Sequence, residues 1–303
     1  MRPRPPMLVV TTVVILMALV AGCEAKVYGA SAAKPSPRRS TPVAPLVQAI
    51  APQQLARFGT LGGLQDRIQR ASYQAAADGA SLSVAVLDRA TNQLVASGNT
   101  EVIATASVAK LFIADELLLQ ESQGRTKLSA GDHRSLDAML QSSDDDAAER
   151  FWSQAGGEQI IGQVASRYGL TSTQPPSDGR WWNTISSTGD LVRYYRMLLD
   201  GAGGLPPERA KIIIDDLARS TPTGVDGYPQ RFGIPDGLYA EPVAVKQGWM
   251  CCIGEDWMHL STGVVGPDSR YVMVVESLQP SDDATARDAI TKAVKTMFPT
   301  GRI

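Results

Sequence analysis

The sequence predicts an α+β fold: an antiparallel sheet flanked by the two terminal helices, with an all-α lobe inserted between its strands. Three observations predict it. Alternating segments near the start and end of the folded part read as strands, the chain between them keeps helical spacing, and an amphipathic stretch stands at each end. The 303 residues, 44% of them hydrophobic and 20% charged, suffice for a substantial core in one large domain or two small ones. A formal charge of −2, with no basic stripe in the folded part, argues against nucleic acid as a partner.

The chain opens with a targeting pattern. Arg2 and Arg4 precede an apolar stretch from Met7 to Gly22, too short for a comfortable membrane span. The stretch runs into Leu19-Val20-Ala21-Gly22-Cys23, which resembles a bacterial lipoprotein signal. That resemblance implies cleavage of residues 1–22 and a diacylglyceryl group on the sulfur of Cys23. The partner it implies is the membrane, reached through that lipid on the extracytoplasmic face. The alternative is a cysteine that follows a signal peptide by accident. Residues 23–57, rich in Pro and Ala, have no apolar period and read as a tether. Its basic residues suit either a solvated linker, the preferred reading, or contact with anionic headgroups.

The folded part spans 58–303, with an α+β lobe from 58–105 and 238–303 and a helical lobe from 106–237. From about Gln54 to Ala77 apolar residues recur at helical spacing, with Gly62-Gly63 delaying the start and Asp78-Gly79 ending the helix. Ser81 to Leu87 alternates as a strand does, Asp88 to Asn92 is a turn, and Gln93 to Ala96 returns as a second strand. Ser107 opens a helix that is apolar almost all round, so it is expected to be buried, and it stops near Gly124. Helices continue to Leu199, interrupted at Pro175-Pro176 and restarting near Asp190. Pro242 to Met250, Trp257 to Val265 and Tyr271 to Ser277 are expected as antiparallel strands, and 282–298 as the last helix.

Three short runs carry the chemistry, in the order Ser107-Val108-Ala109-Lys110, Ser143-Asp144-Asp145 and Lys246-Gln247-Gly248. Ser107 and Lys110 lie one helical turn apart on one face. A desolvated, deprotonated lysine is one way to activate a serine hydroxyl. Each run alone has a plainer explanation: an N-cap serine with a surface lysine, an acidic helix start, and a strand lysine beside a glycine. Ser31-Ala32-Ala33-Lys34 repeats the first spacing inside the tether, where it carries no chemistry.

Their joint order and context resemble the signature of the serine β-lactamases (class A) and DD-peptidases. The resemblance covers about residues 60–300. It implies an acyl-serine mechanism on an amide or ester, with Ser107 as nucleophile, Lys110 as base, and Ser143 and Lys246 as proton relay and anion-binding pair. Backbone N–H groups of Ser107 and Trp249 would form the oxyanion hole, and Gly248 would allow close ligand approach. A peptidoglycan peptide or β-lactam is the implied ligand, and no metal or other cofactor is implied.

Two positions depart from the pattern. Asp145 stands where the family has asparagine, and a carboxylate cannot donate a hydrogen bond and would repel a substrate carbonyl oxygen. It could instead pair with Lys110 and keep that lysine charged. Gln247 replaces the hydroxyl residue that binds a substrate carboxylate; its amide could donate from farther out. Between Tyr168 and Ile185 the only acid is Asp178, so the family's loop glutamate is missing. Asp190 reads as a helix-start residue after Ser187. A degenerate domain that binds an envelope ligand or protein is therefore the alternative to an active enzyme. His133 and His259 are read as structural. Cys251 and Cys252 are expected as two buried or half-buried thiols, a vicinal disulfide being the other reading, since neighbouring strand side chains point to opposite faces.

Overall fold

The computed structural model describes residues 61–303. The expected signal, the expected lipidation position Cys23 and the whole of the tether lie outside the described residues. The chain enters at α1 (Leu64–Ala77), which begins after Gly63 in a left-handed conformation, as the Gly62-Gly63 pair suggests. Strands β1 (Ser81–Asp88) and β2 (Gln93–Ala96) form a hairpin. A short strand β3 (Val102–Ala104) then leads to a 3-10 turn, Ala106–Ala109, and to α2 (Lys110–Ser122).

The middle of the chain is helical: α3 (Ala130–Gln141), α4 (Asp145–Ala155), α5 (Gln159–Tyr168), α6 (Thr188–Leu199) and α7 (Pro207–Ala218). Ser129 caps α3 in a reciprocal capping box with Asp132, and Ser187 caps α6 by accepting from the Asp190 amide. Strand β4 (Ile185–Ser187) pairs with β3 in a small second sheet that the sequence reading does not foresee; three residues a side are too few to show a period. Helix α7 is also unforeseen, although Pro207 at its first position and Ala210, Ile213 and Leu217 on one buried stripe mark it. After a single helical turn, α8 (Ile234–Gly237), come β5 (Val243–Ile253), β6 (Asp256–Val265), β7 (Tyr271–Gln279) and the last helix, α9 (Asp283–Met297).

The large sheet has the order β2-β1-β7-β6-β5 and is antiparallel throughout. Both chain ends therefore build one sheet, and its faces carry separate cores. Val272, Val274 and Leu278 of β7 join a core with Leu111, Phe112 and Leu118 of α2. Met273 and Val275 turn to the other face, against Ile68 of α1 and Ile290 and Val294 of α9. Every residue of β7 is buried, which suits the middle strand of a sheet covered on both sides. At roughly 1.5–3 kcal/mol for each fully buried aliphatic side chain, this strand is a main source of cohesion.

Helix α2 is buried on nearly every side, as its composition requires. It takes two acids into the interior with it. Asp115 accepts from Arg167 at 2.6 Å and from the Tyr168 hydroxyl at 2.5 Å, and Glu116 accepts from Arg167 at 3.2 Å. Burial pushes the Asp115 carboxyl up, and Arg167 opposes that. These contacts tie α5 to α2, the helix that carries Lys110. Among the described residues no helix is long and apolar enough to cross a membrane.

Candidate active site

The first two runs and Lys246 of the third meet at one point. The 3-10 turn presents Ser107, α2 begins at Lys110, Ser143 precedes α4, and Lys246 lies on the edge strand β5. The Lys110 amine is 2.9 Å from Ser107 Oγ, 3.0 Å from Ser143 Oγ and 2.8 Å from the Ser143 carbonyl. The Lys246 amine donates to Ser143 Oγ at 2.9 Å. A continuous chain of polar atoms thus runs Ser107–Lys110–Ser143–Lys246. All four residues are buried, Lys110 and Lys246 almost completely.

The backbone is bent to achieve this. Ser143 has φ +57° and Ala106, beside Ser107, +45°. Such conformations cost non-glycine residues on the order of 1–2 kcal/mol each and gather at functional sites. Asp144 caps α4 by accepting from the Ala147 amide at 3.1 Å. The two readings of the acidic run therefore hold together: it starts a helix, and Asp145 also reaches Lys110 at 2.5 Å.

Burial lowers the Lys110 ammonium below the ordinary lysine range, and Asp145 beside it acts in the opposite sense. Lys246 is driven well below that range, first by burial and then by the neighbouring Lys110 charge. It touches no carboxylate. Of the two amines, Lys246 gives up its proton first and Lys110, held by Asp145, keeps it longer.

Three expectations need correction. Gln247 does not face a ligand: it is fully buried, and its amide donates to the carbonyls of Phe232 at 2.6 Å and Gln230 at 3.0 Å. Strand alternation sends Lys246 toward Ser143 and its neighbour the other way. Gly248 makes room for protein, not ligand: a Cβ there would stand 2.5 Å from the Thr105 carbonyl, in the approach to the turn that carries Ser107. Cys251 and Cys252 are not separate buried thiols but an exposed vicinal disulfide across a cis peptide.

Trp249 sits beside the site as expected, stacked on Tyr228 with ring centroids 4.4 Å apart. Below it, His259 is fully buried, 2.7 Å from the Tyr228 hydroxyl, which also bonds Asp283. Burial lowers this imidazole to about 4. His133 pairs with Glu121 at 3.3 Å. Both histidines lie away from the Ser107 chain of contacts. Asp178 accepts from the Arg180 amide and Asn183, and Asp190 from the Ser172 amide and Thr173.

In front of Ser107 opens a cavity of about 300 Å³, lined by Ser107, Asp145, Trp181, Trp182, Asp226 and Trp249. Trp181, Trp182 and Asp226 were not singled out from the sequence. The adjacent tryptophans after Pro175-Pro176 were the available signal, since three of the chain's five tryptophans gather here. Asp226 lies in a glycine-flanked loop with no local pattern. Among the described residues no group of three or more His, Cys, Asp or Glu side chains could hold a metal ion.

This arrangement has known counterparts in fold. A β-lactamase from Chitinophaga pinensis superposes with a TM-score of 0.63 at 12% identity, over 78% of this chain and 100% of the other. PBP-A superposes with a TM-score of 0.63 at 18% identity, over 79% and 96%. The fold is therefore β-lactamase/transpeptidase-like, and identities this low establish the fold alone. No family model matches the chain. Full-length sequence relatives exist: Mycobacterium tuberculosis and Mycobacterium bovis each have a protein named "Putative lipoprotein LppW", 64% identical over 315 aligned residues that cover all of both chains. At that identity over its whole length, the chain belongs to the family of the mycobacterial protein LppW.

Proposed function

We propose that the chain is a cell-envelope lipoprotein, anchored through Cys23, whose folded domain is a serine hydrolase working through an acyl-Ser107 intermediate. The observation that carries this reading is the buried relay Ser107–Lys110–Ser143–Lys246, with every link at 2.9–3.0 Å. Two buried lysines around one hydroxyl are costly to stability and are explained by chemistry. The lipoprotein signal and the name given to the mycobacterial relatives support the anchor.

The relay orders the proton movements. In the resting site one proton sits on Lys110, held by Asp145, while Lys246 is a neutral amine. Loss of the Lys110 proton to solvent, which burial favours and Asp145 opposes, leaves that amine neutral and 2.9 Å from Ser107 Oγ. Lys110 then takes the Ser107 proton as Oγ bonds the acyl carbon. The oxyanion is met by backbone N–H groups of Ser107 and Trp249, the latter on an edge strand whose outer N–H groups are not all used by the sheet. Collapse breaks the bond to the leaving amine or alcohol, which receives its proton through Ser143. Asp178 and Asp190 are engaged elsewhere, and neither lines the cavity. The acids that do line it are Asp145, paired with Lys110, and Asp226, and neither stands in the position of the family's loop glutamate, so slow deacylation is expected.

The second reading is a binding lipoprotein that has lost acylation. The Asp145–Lys110 contact at 2.5 Å favours it, because it opposes loss of the Lys110 proton. Intact mass after exposure of the full chain to penicillin G and to a fluorophosphonate separates the two. An adduct absent from Ser107→Ala supports the enzyme. No adduct with either reagent supports the binder.

A further inference from the structure

The cleft has an unusual charge arrangement for a site that would take an acyl group. No lysine or arginine lines the cavity, while two carboxylates do, Asp145 and Asp226. Lys110 and Lys246 lie behind Ser107, buried to 0% and 1% exposure, with Lys110 committed to Asp145. Asp226 is exposed, and its side chain accepts only from the Tyr228 amide, at 2.9 Å; no cation pairs with it among the described residues. Its field reaches inward, where it opposes proton loss from both buried lysines.

Three tryptophans, Trp181, Trp182 and Trp249, form much of the remaining wall, with Ala106, Met250 and Cys251. Ring faces attract cations, by about 0.5–2 kcal/mol according to desolvation. Two rings here already do so: Lys110 lies 4.7 Å from the Trp181 centroid, and Arg180 lies 5.8 Å from that of Trp182. Trp249 is fixed by stacking on Tyr228, and the same loop carries Asp226 two residues earlier. Trp181, itself 2% exposed, keeps an indole N–H with no partner, a donor left over for a bound molecule.

We infer that this cleft selects a substrate or ligand bearing a cationic group, an ammonium or guanidinium, held between the Asp226 carboxylate and the Trp249 and Trp182 rings, and that it disfavours carboxylate-bearing molecules. The inference rests on reading the Ser107 cleft as the ligand site. Gln247, turned into the core, and the absence of any lining Lys or Arg leave no cation to receive a carboxylate. An anion placed there meets Asp145 and Asp226 instead. A β-lactam carboxylate is thus a poor match even if Ser107 is fully reactive.

The test uses three small aromatic probes of similar size: benzyltrimethylammonium, benzyl alcohol and phenylacetate. Their binding to the full chain is measured by calorimetry and by tryptophan fluorescence. The same titrations are run on Ser107→Ala and on Asp226→Asn, which retains an acceptor for the Tyr228 amide. The cation should bind at least tenfold more tightly than the alcohol, and phenylacetate most weakly. Asp226→Asn should bring cation and alcohol to within about threefold. Equal or tighter binding of phenylacetate, a cation preference that survives in Asp226→Asn, or no binding of any probe would each overturn the inference. Binding by Ser107→Ala keeps the question separate from catalysis: the preference persists there whether or not a fluorophosphonate labels Ser107 in the native chain.

Discussion

At the scale of single residues, Asp145 and burial set the protonation of Lys110 in opposite directions. Asp145 favours the Lys110 cation and burial opposes it, while Lys246 is held well below the lysine range. Asp145→Asn keeps an oxygen for Lys110 and removes the charge. We expect the pH midpoint of Ser107 acylation to fall and the rate near pH 7 to rise several-fold, read by timed intact mass. An unchanged or raised midpoint would show that Asp145 does not govern Lys110. The four relay residues and Asp145 were legible in the sequence because each stands in a motif of fixed spacing. Gln247 was not: spacing places it on a strand, but only the position of the Gln230–Phe232 backbone shows that its amide is consumed inside the protein. Asp226 was invisible for a related reason, since a loop acid acquires meaning only from the cavity it borders.

At the scale of elements, the edge strand β5 and the nucleophile turn are fitted to one another at Gly248. A methyl group there would meet the Thr105 carbonyl, a backbone atom with little freedom to move. Gly248→Ala should displace the turn, slow Ser107 labelling at least tenfold and destabilise the protein by about 1–3 kcal/mol in urea unfolding. On the middle strand β7, Glu276 is 2% exposed, and burial raises its carboxyl to about 8. A raised folded-state value means that above the ordinary value of 4.5 the unfolded chain ionises first. The resulting loss of stability grows as pH rises from 4.5 to about 8. Glu276→Gln should therefore gain on the native chain over that window, reaching roughly 4 kcal/mol in urea titrations at pH 8. A gap that does not widen with pH would contradict a neutral buried Glu276. The sheet strands were legible from alternation, and α2 from its unbroken apolar character. The β3–β4 pair was not, because three residues a side carry no period and the pairing joins segments far apart in sequence.

At the scale of the whole molecule, both chain ends build one sheet, the helical middle carries Lys110, and β5 from the C-terminal part brings Lys246 against it. The site is therefore a product of the tertiary fold and exists in no fragment. The proposed anchor is a separate matter of chemistry at Cys23. Cys23→Ala should abolish incorporation of radiolabelled palmitate and release the chain from the membrane fraction in an expressing cell. Retention of both would refute lipid anchoring at that sulfur. The central claim is that burial of two lysines makes Ser107 a nucleophile, and the direct measurement is the rate of fluorophosphonate attachment between pH 6 and pH 11, with the site mapped by peptide mass. We expect one adduct per chain, on Ser107, with a rate that reaches its plateau well below the ordinary lysine value of 10.5. No adduct on Ser107, or a rate still climbing beyond that value, would contradict the account.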